Sequence, residues 1–151
     1  MSKVKDNQKI KKIPSNIGKI ETQAAQEPKI SLRYNYLTTN KDYNMYYFKD
    51  KAMRSNAHDE LMEKLIEITG STISHISSIG KQRGSEAISY SSLNENFQNS
   101  VKNIEIVSKG AIFTVFRFYQ QKYRLICLKD AIDKNILHII GFDFDYSAYM
   151  H

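Results

Sequence analysis

The sequence predicts an α+β fold: a helix pair packed on a C-terminal antiparallel β-meander, with an N-terminal β-hairpin and a disordered basic N-terminal tail. Three observations carry this. From Gly110 onward the apolar runs AIFTVFRFY, YRLICLKD and ILHIIGFDFDY are separated by the short polar connections QQK and AIDKN, the pattern of strands joined by tight turns. Between residues 51 and 68, Met53, Ala57, Leu61, Leu65 and Ile68 fall on one helical stripe that Met62 and Ile66 widen. The 151 residues are 41% hydrophobic and 11% aromatic, which suffices for one packed domain and excludes global disorder.

In chain order, residues 1–28 are Lys-rich with isolated isoleucines, Pro14, Gly18 and Pro28, and sustain neither a strand nor a helix period. They are read as the tail, and residues 29–151 as a single domain. In KISLRYNY, Ile30, Leu32, Tyr34 and Tyr36 alternate with polar residues, as in a half-buried strand. A polar turn over 38–42 and the aromatic run Tyr43–Phe48 complete the expected hairpin, although the same run would also serve to open a helix. Asp50 is the expected N-cap of the helix and Gly70 its stop. A second short helix, with Ile73, Ile76 and Ile79 recurring every three residues, restarts at Ser71–Thr72 and ends at Gly80. Residues 81–109 read mainly as polar connection, with a possible short strand at Ile104–Val107. The last two strands are almost continuously apolar, so both faces of the sheet should be covered there.

Composition bounds the function. One cysteine, Cys127, allows no intrachain disulfide, cysteine-based zinc cluster or CxxC motif. The N-terminus has no apolar signal region and no segment is apolar enough to cross a bilayer, so the expectation is a cytoplasmic chain with no membrane partner. The net charge of +6 divides unevenly, +4 in residues 1–30 and +2 in the remainder. The basic tail either solubilises or adds sequence-independent attraction to phosphate. No HExxH, P-loop or GxGxxG motif occurs.

A few residues stand out against their surroundings. Arg117 and Arg124 interrupt apolar strands, where a charge is costly unless paired or aimed at a ligand; Asp143 or Asp145 could be the partner. His138, among aliphatic neighbours, reads as a core or edge histidine. His151 is either a frayed end or an imidazole poised at a cleft, where an adjacent terminal carboxylate would raise its pKa and suit it to act as an acid. Asp143 and Asp145, two apart, share a strand face if the strand runs that far. They would then pair with Lys or Arg, or hold Mg²⁺ or Mn²⁺ with a histidine.

The order of helix pair, polar connection with Gly84-Ser85-Glu86, meander with Tyr123-Arg124-Leu125-Ile126 in its middle strand, and a terminal stretch carrying Tyr149 and His151 resembles the RelE/YoeB/HigB group of toxins. These are small ribonucleases in which two helices pack on an antiparallel sheet. The resemblance covers about residues 50–151. It implies RNA cleavage with neither metal nor other cofactor, in which the RNA 2′-hydroxyl attacks the adjacent phosphate. Arg124 would stabilise the phosphorane, His151 or Tyr149 would supply the acid and Glu86 the base, with Arg117, Lys122 and Tyr123 contacting RNA. It implies RNA or the ribosome as target and a protein antitoxin as partner. Two other readings are a non-catalytic interaction protein of mobile-element or phage type, using the Tyr-rich segment Tyr34–Phe48 as its binding face, and a divalent-metal nuclease built on Asp143 and Asp145.

Overall fold

The computed structural model describes residues 26–150; the expected tail, apart from its last three residues, and His151 lie outside them. Helix α1 (Lys51–Thr69) starts where Asp50 accepts the amide of Met53 at 2.8 Å and stops at Gly70, whose N–H returns to the Ile66 carbonyl. Helix α2 (Ile73–Ser78) follows at once, capped by the Thr72 hydroxyl on the amide of His75. These are the two helices the sequence predicts. Their apolar stripe buries Ala57, Leu61, Leu65, Ile68 and Ile76.

Five strands make one sheet: β1 (Ser31–Arg33), β2 (Ser85–Ser89), β3 (Ile112–Phe118), β4 (Tyr123–Lys129) and β5 (Ile136–Asp143), in the spatial order β1-β5-β4-β3-β2. Strands β2 to β5 are antiparallel neighbours and β1 joins β5 in parallel. The predicted meander is β3-β4-β5. Its alternation divides the side chains between two covered faces. Phe116, Phe118, Leu125, Cys127, Ile139 and Phe142 meet α1 and α2 on one face. Phe113, Val115, Ile126, Leu128 and Ile140 meet α3 (Glu95–Val101) on the other. Gly141 lets the helix approach closely there, since a Cβ would stand 3.0 Å from the ring of the fully buried Phe97 and 3.2 Å from the Tyr43 carbonyl oxygen.

Two expectations are corrected. Among the described residues the N-terminal segment forms no hairpin: its one strand there is β1, paired with β5 rather than with the following aromatic run. That run instead folds into a 3-10 turn (Lys41–Tyr43) and further turns, held by Asn44, whose amide donates to the Thr38 carbonyl and whose Oδ1 accepts from Tyr46 N–H. Its rings divide between the two cores, Tyr43 entering the one under α3 and Phe48 the one under α1. Residues 81–109 contain β2 and α3, whereas Ile104–Val107 makes successive turns and no strand.

Candidate functional site

The face of the sheet under α3 changes character at one end. Arg117 of β3 and Arg124 of β4 are directly opposite in the register, and Arg124 is in turn opposite Asp143 of β5. Two like charges so placed repel each other unless something intervenes. Glu86, on the neighbouring strand β2, supplies it: Arg117 Nε and Nη2 donate to Oε1, both at 3.2 Å, and Nη2 reaches Oε2 at 3.3 Å. Tyr149 completes the arrangement. Its hydroxyl donates to Glu86 Oε1 at 2.8 Å and accepts from Arg124 Nε at 3.2 Å, so Arg117, Glu86, Tyr149 and Arg124 form one continuous hydrogen-bonded chain.

Tyr149 arrives there because β5 ends at Asp143 and the chain reverses. The Asp143 carboxylate, fully buried, accepts the backbone N–H groups of Asp145, Ser147 and Ala148. Tyr146 takes a positive φ of 61° in this turn. Asn94 then fixes the returning strand, its N–H on the Ala148 carbonyl and its side-chain amide on the Ser147 carbonyl, both at 2.8 Å. A single antiparallel bridge, Leu93 to Tyr149, sets the last step.

Arg124 is held at its other side by the β3–β4 turn. Nη1 donates to the Gln121 and Tyr123 carbonyls. The guanidinium lies 4.9 Å from the centre of the Tyr146 ring, within cation–π range. Tyr119, Gln120 and Gln121 all have positive φ in this turn, which the Lys122 N–H closes on the Tyr119 carbonyl.

Around these groups opens a cleft of about 350 Å³ lined by Lys81, Glu86, Ile88, Arg117, Arg124, Tyr149 and Met150. Among the described residues, three cations face it with one carboxylate. Burial alone would raise the pKa of Glu86, but hydrogen bonds from Arg117 and Tyr149, and the Arg117 charge, bring it below the ordinary value. Glu86 is therefore a carboxylate near neutrality. The Tyr149 phenol moves the opposite way, driven up by burial and by its bond to the negative Glu86, so it keeps its proton as a donor. Burial also raises the Asp143 carboxyl, against the three backbone N–H groups that lower it.

No family model, curated protein or solved structure matches the chain. The site therefore rests on its own geometry.

Of the residues singled out in the sequence, Arg117, Arg124, Glu86 and Tyr149 come together. Tyr123 does not join them: alternation turns it to the opposite face, where its ring packs against Phe48, Phe118 and Phe144. Lys122 sits in the turn with its ammonium 5.3 Å from the Tyr119 ring centre and is not among the residues lining the cleft. Met150 lines the cleft, and His151 lies outside the described residues. Asp145 is beyond the end of β5 and bonds the Tyr47 hydroxyl and Ser147 N–H. Asp143 and Asp145 are thus engaged mainly by their own turn, and neither forms an ion pair among the described residues. His138 is a buried histidine whose Nε2 meets Asp130 Oδ2 at 2.8 Å.

Lys81 and Gln121 were missed by the sequence reading. Lys81 belongs to a polar stretch with no periodic signal, and Gln121 acts partly through its backbone carbonyl, which its residue type does not disclose.

Proposed function

We propose that the chain is a RelE/YoeB-like endoribonuclease that cleaves RNA without a metal ion, and that the cleft between β2, β3, β4 and Tyr149 is its reaction centre. The observation that carries the reading is the hydrogen-bonded chain Arg117–Glu86–Tyr149–Arg124 around an open cleft. It supplies the three things that transesterification of a phosphodiester needs: a proton acceptor, a proton donor and fixed positive charge.

The steps balance with these groups alone. The RNA 2′-hydroxyl attacks the adjacent phosphorus as its proton passes to the Glu86 carboxylate. Negative charge on the non-bridging oxygens is met by Arg124 and Arg117. The P–O5′ bond breaks, and the departing 5′-oxygen takes the phenolic proton of Tyr149, with His151 as the alternative acid. The products are a 2′,3′-cyclic phosphate and a 5′-hydroxyl. The 2.8 Å contact between Tyr149 and Glu86 then lets the proton captured by Glu86 return to the phenolate.

Tyr149→Phe tests the acid. The ring is almost fully buried and phenylalanine keeps its shape, but two hydrogen bonds to charged groups are lost, so stability should fall by about 3 kcal/mol. Cleavage of mRNA after induced expression should fall about 10²-fold. Undiminished cleavage would remove Tyr149 from the mechanism.

The alternative reading, a non-catalytic interaction protein, has less to bind with than its sequence promised. Tyr43 and Phe48 of the Tyr34–Phe48 segment are buried, leaving Tyr34 and Tyr46 as its well-exposed rings.

A further inference from the structure

Glu86 has two demands on it that conflict. As a base it must receive a proton, yet in the resting cleft its carboxylate is held by Arg117 through three N–H···O contacts and by Tyr149 through an O–H···O bond. Arg117 has the converse problem, since the Nε–Nη2 edge of its guanidinium is bonded to Glu86 and its Nη1 reaches Gln121 Oε1 at 3.5 Å. A guanidinium recognises carboxylate and phosphate with the same planar fork. The two oxyanions are therefore competitors for one donor set.

We propose that Glu86 is a displaceable counter-ion: it occupies on Arg117 the position that a phosphate group takes when ligand binds, and the exchange releases its carboxylate to act as the base. The inference rests on reading the cleft as a phosphate site.

Three features support the exchange. The charge balance favours it, because among the described residues Arg117, Arg124 and Lys81 face the cleft against Glu86 alone. An entering phosphate adds the missing negative charge between Arg117 and Arg124, which their register sets directly opposite each other. The ion pair is also reachable, since the Arg117 and Glu86 side chains retain 15% and 14% exposure, whereas Asp143 is fully buried and bonded to its own turn. Finally, the exchange changes the proton affinity of Glu86 in the useful direction. Losing Arg117 removes both its hydrogen bonds and its charge, two of the causes that hold the carboxyl low, and leaves burial, which raises it. Lys81 and Tyr149 stay beside it. Ligand binding thus prepares the base, and the empty cleft keeps it inactive.

The test separates this from the nuclease reading by measuring binding alone, with inorganic phosphate as the probe on the full chain. Glu86→Gln removes the competing charge, while its amide oxygen still accepts from Tyr149. Calorimetric titration should show phosphate binding about fivefold tighter than in the wild type, and the gain should vanish when Arg117→Ala is added. Equal or weaker binding in Glu86→Gln, a gain that persists without Arg117, or no measurable binding in either chain would overturn the proposal. Phosphate binding that follows the expected pattern in a chain that leaves RNA intact would retain the counter-ion and remove the nuclease.

Discussion

Arg124→Lys is expected to lower RNA cleavage by about 10³-fold while the chain remains folded. Lysine keeps the positive charge, so a merely electrostatic role would survive the change. What it loses is the fork. Arg124 donates from Nε to Tyr149 and from Nη1 to the Gln121 and Tyr123 carbonyls, contacts that fix the plane of the guanidinium relative to the phenol. An ammonium on a flexible stem reproduces neither the plane nor the simultaneous bonds. Loss of one preorganised donor to a developing oxyanion typically costs about 10²–10³ in rate, and here the orientation of Tyr149 is lost with it. The readout is growth and total mRNA integrity after induction, beside Arg124→Ala and the wild type, with circular dichroism to verify folding. Full cleavage by the folded lysine variant would show that the charge of Arg124 suffices and that its fork has no part in the reaction.

Phe97→Ala carries the largest expected effect on stability, a loss of about 3–5 kcal/mol. Phe97 is fully buried, meets the Tyr43 ring edge-on at 4.9 Å and packs against Gly141 at the middle of β5. No larger side chain stands at position 141 to relax into the vacated space, so the cavity should persist. The denaturant midpoint measures the loss. A change below 1 kcal/mol would mean that α3 is not the cover of this face. The same substitution should also weaken the site, because Leu93 and Asn94 at the start of α3 position Ala148 and Tyr149. Cleavage per folded molecule should fall as well.

The parts of the fold legible in the sequence are those whose causes are local. Asp50, the stripe from Ala57 to Ile68 and Gly70 announce α1 within one segment, and three apolar runs with short polar connections announce β3, β4 and β5. The pairing of β1 with β5 was not legible, because a parallel partner more than a hundred residues away leaves no turn signal between the two. Helix α3 was overlooked because its seven residues offer only Phe97 and Val101 as a spaced pair, with Leu93 just before the start. The shared strand face of Asp143 and Asp145 depends on β5 reaching Asp145, and β5 ends at Asp143, whose buried carboxylate draws the following backbone N–H groups onto itself.

The candidate site was legible where charge contradicts its surroundings. Arg117 and Arg124 declare themselves by interrupting apolar strands, and the register makes them opposite. Glu86 and Tyr149, 63 residues apart, were reached through the resemblance rather than through any local pattern. Grouping Tyr123 with Arg124 ignored alternation: adjacent strand residues face opposite ways, and Tyr123 belongs to the aromatic cluster with Phe144.

The most direct test of the central claim is the chemistry of the RNA ends. The full chain, incubated with RNA in the presence and absence of ribosomes and with excess chelator throughout, should produce fragments ending in 2′,3′-cyclic phosphate and beginning with 5′-hydroxyl, and a 2′-deoxy substitution at the cleaved position should abolish the cut. RNA left intact under all these conditions, or cleavage that disappears with the chelator, would contradict the account.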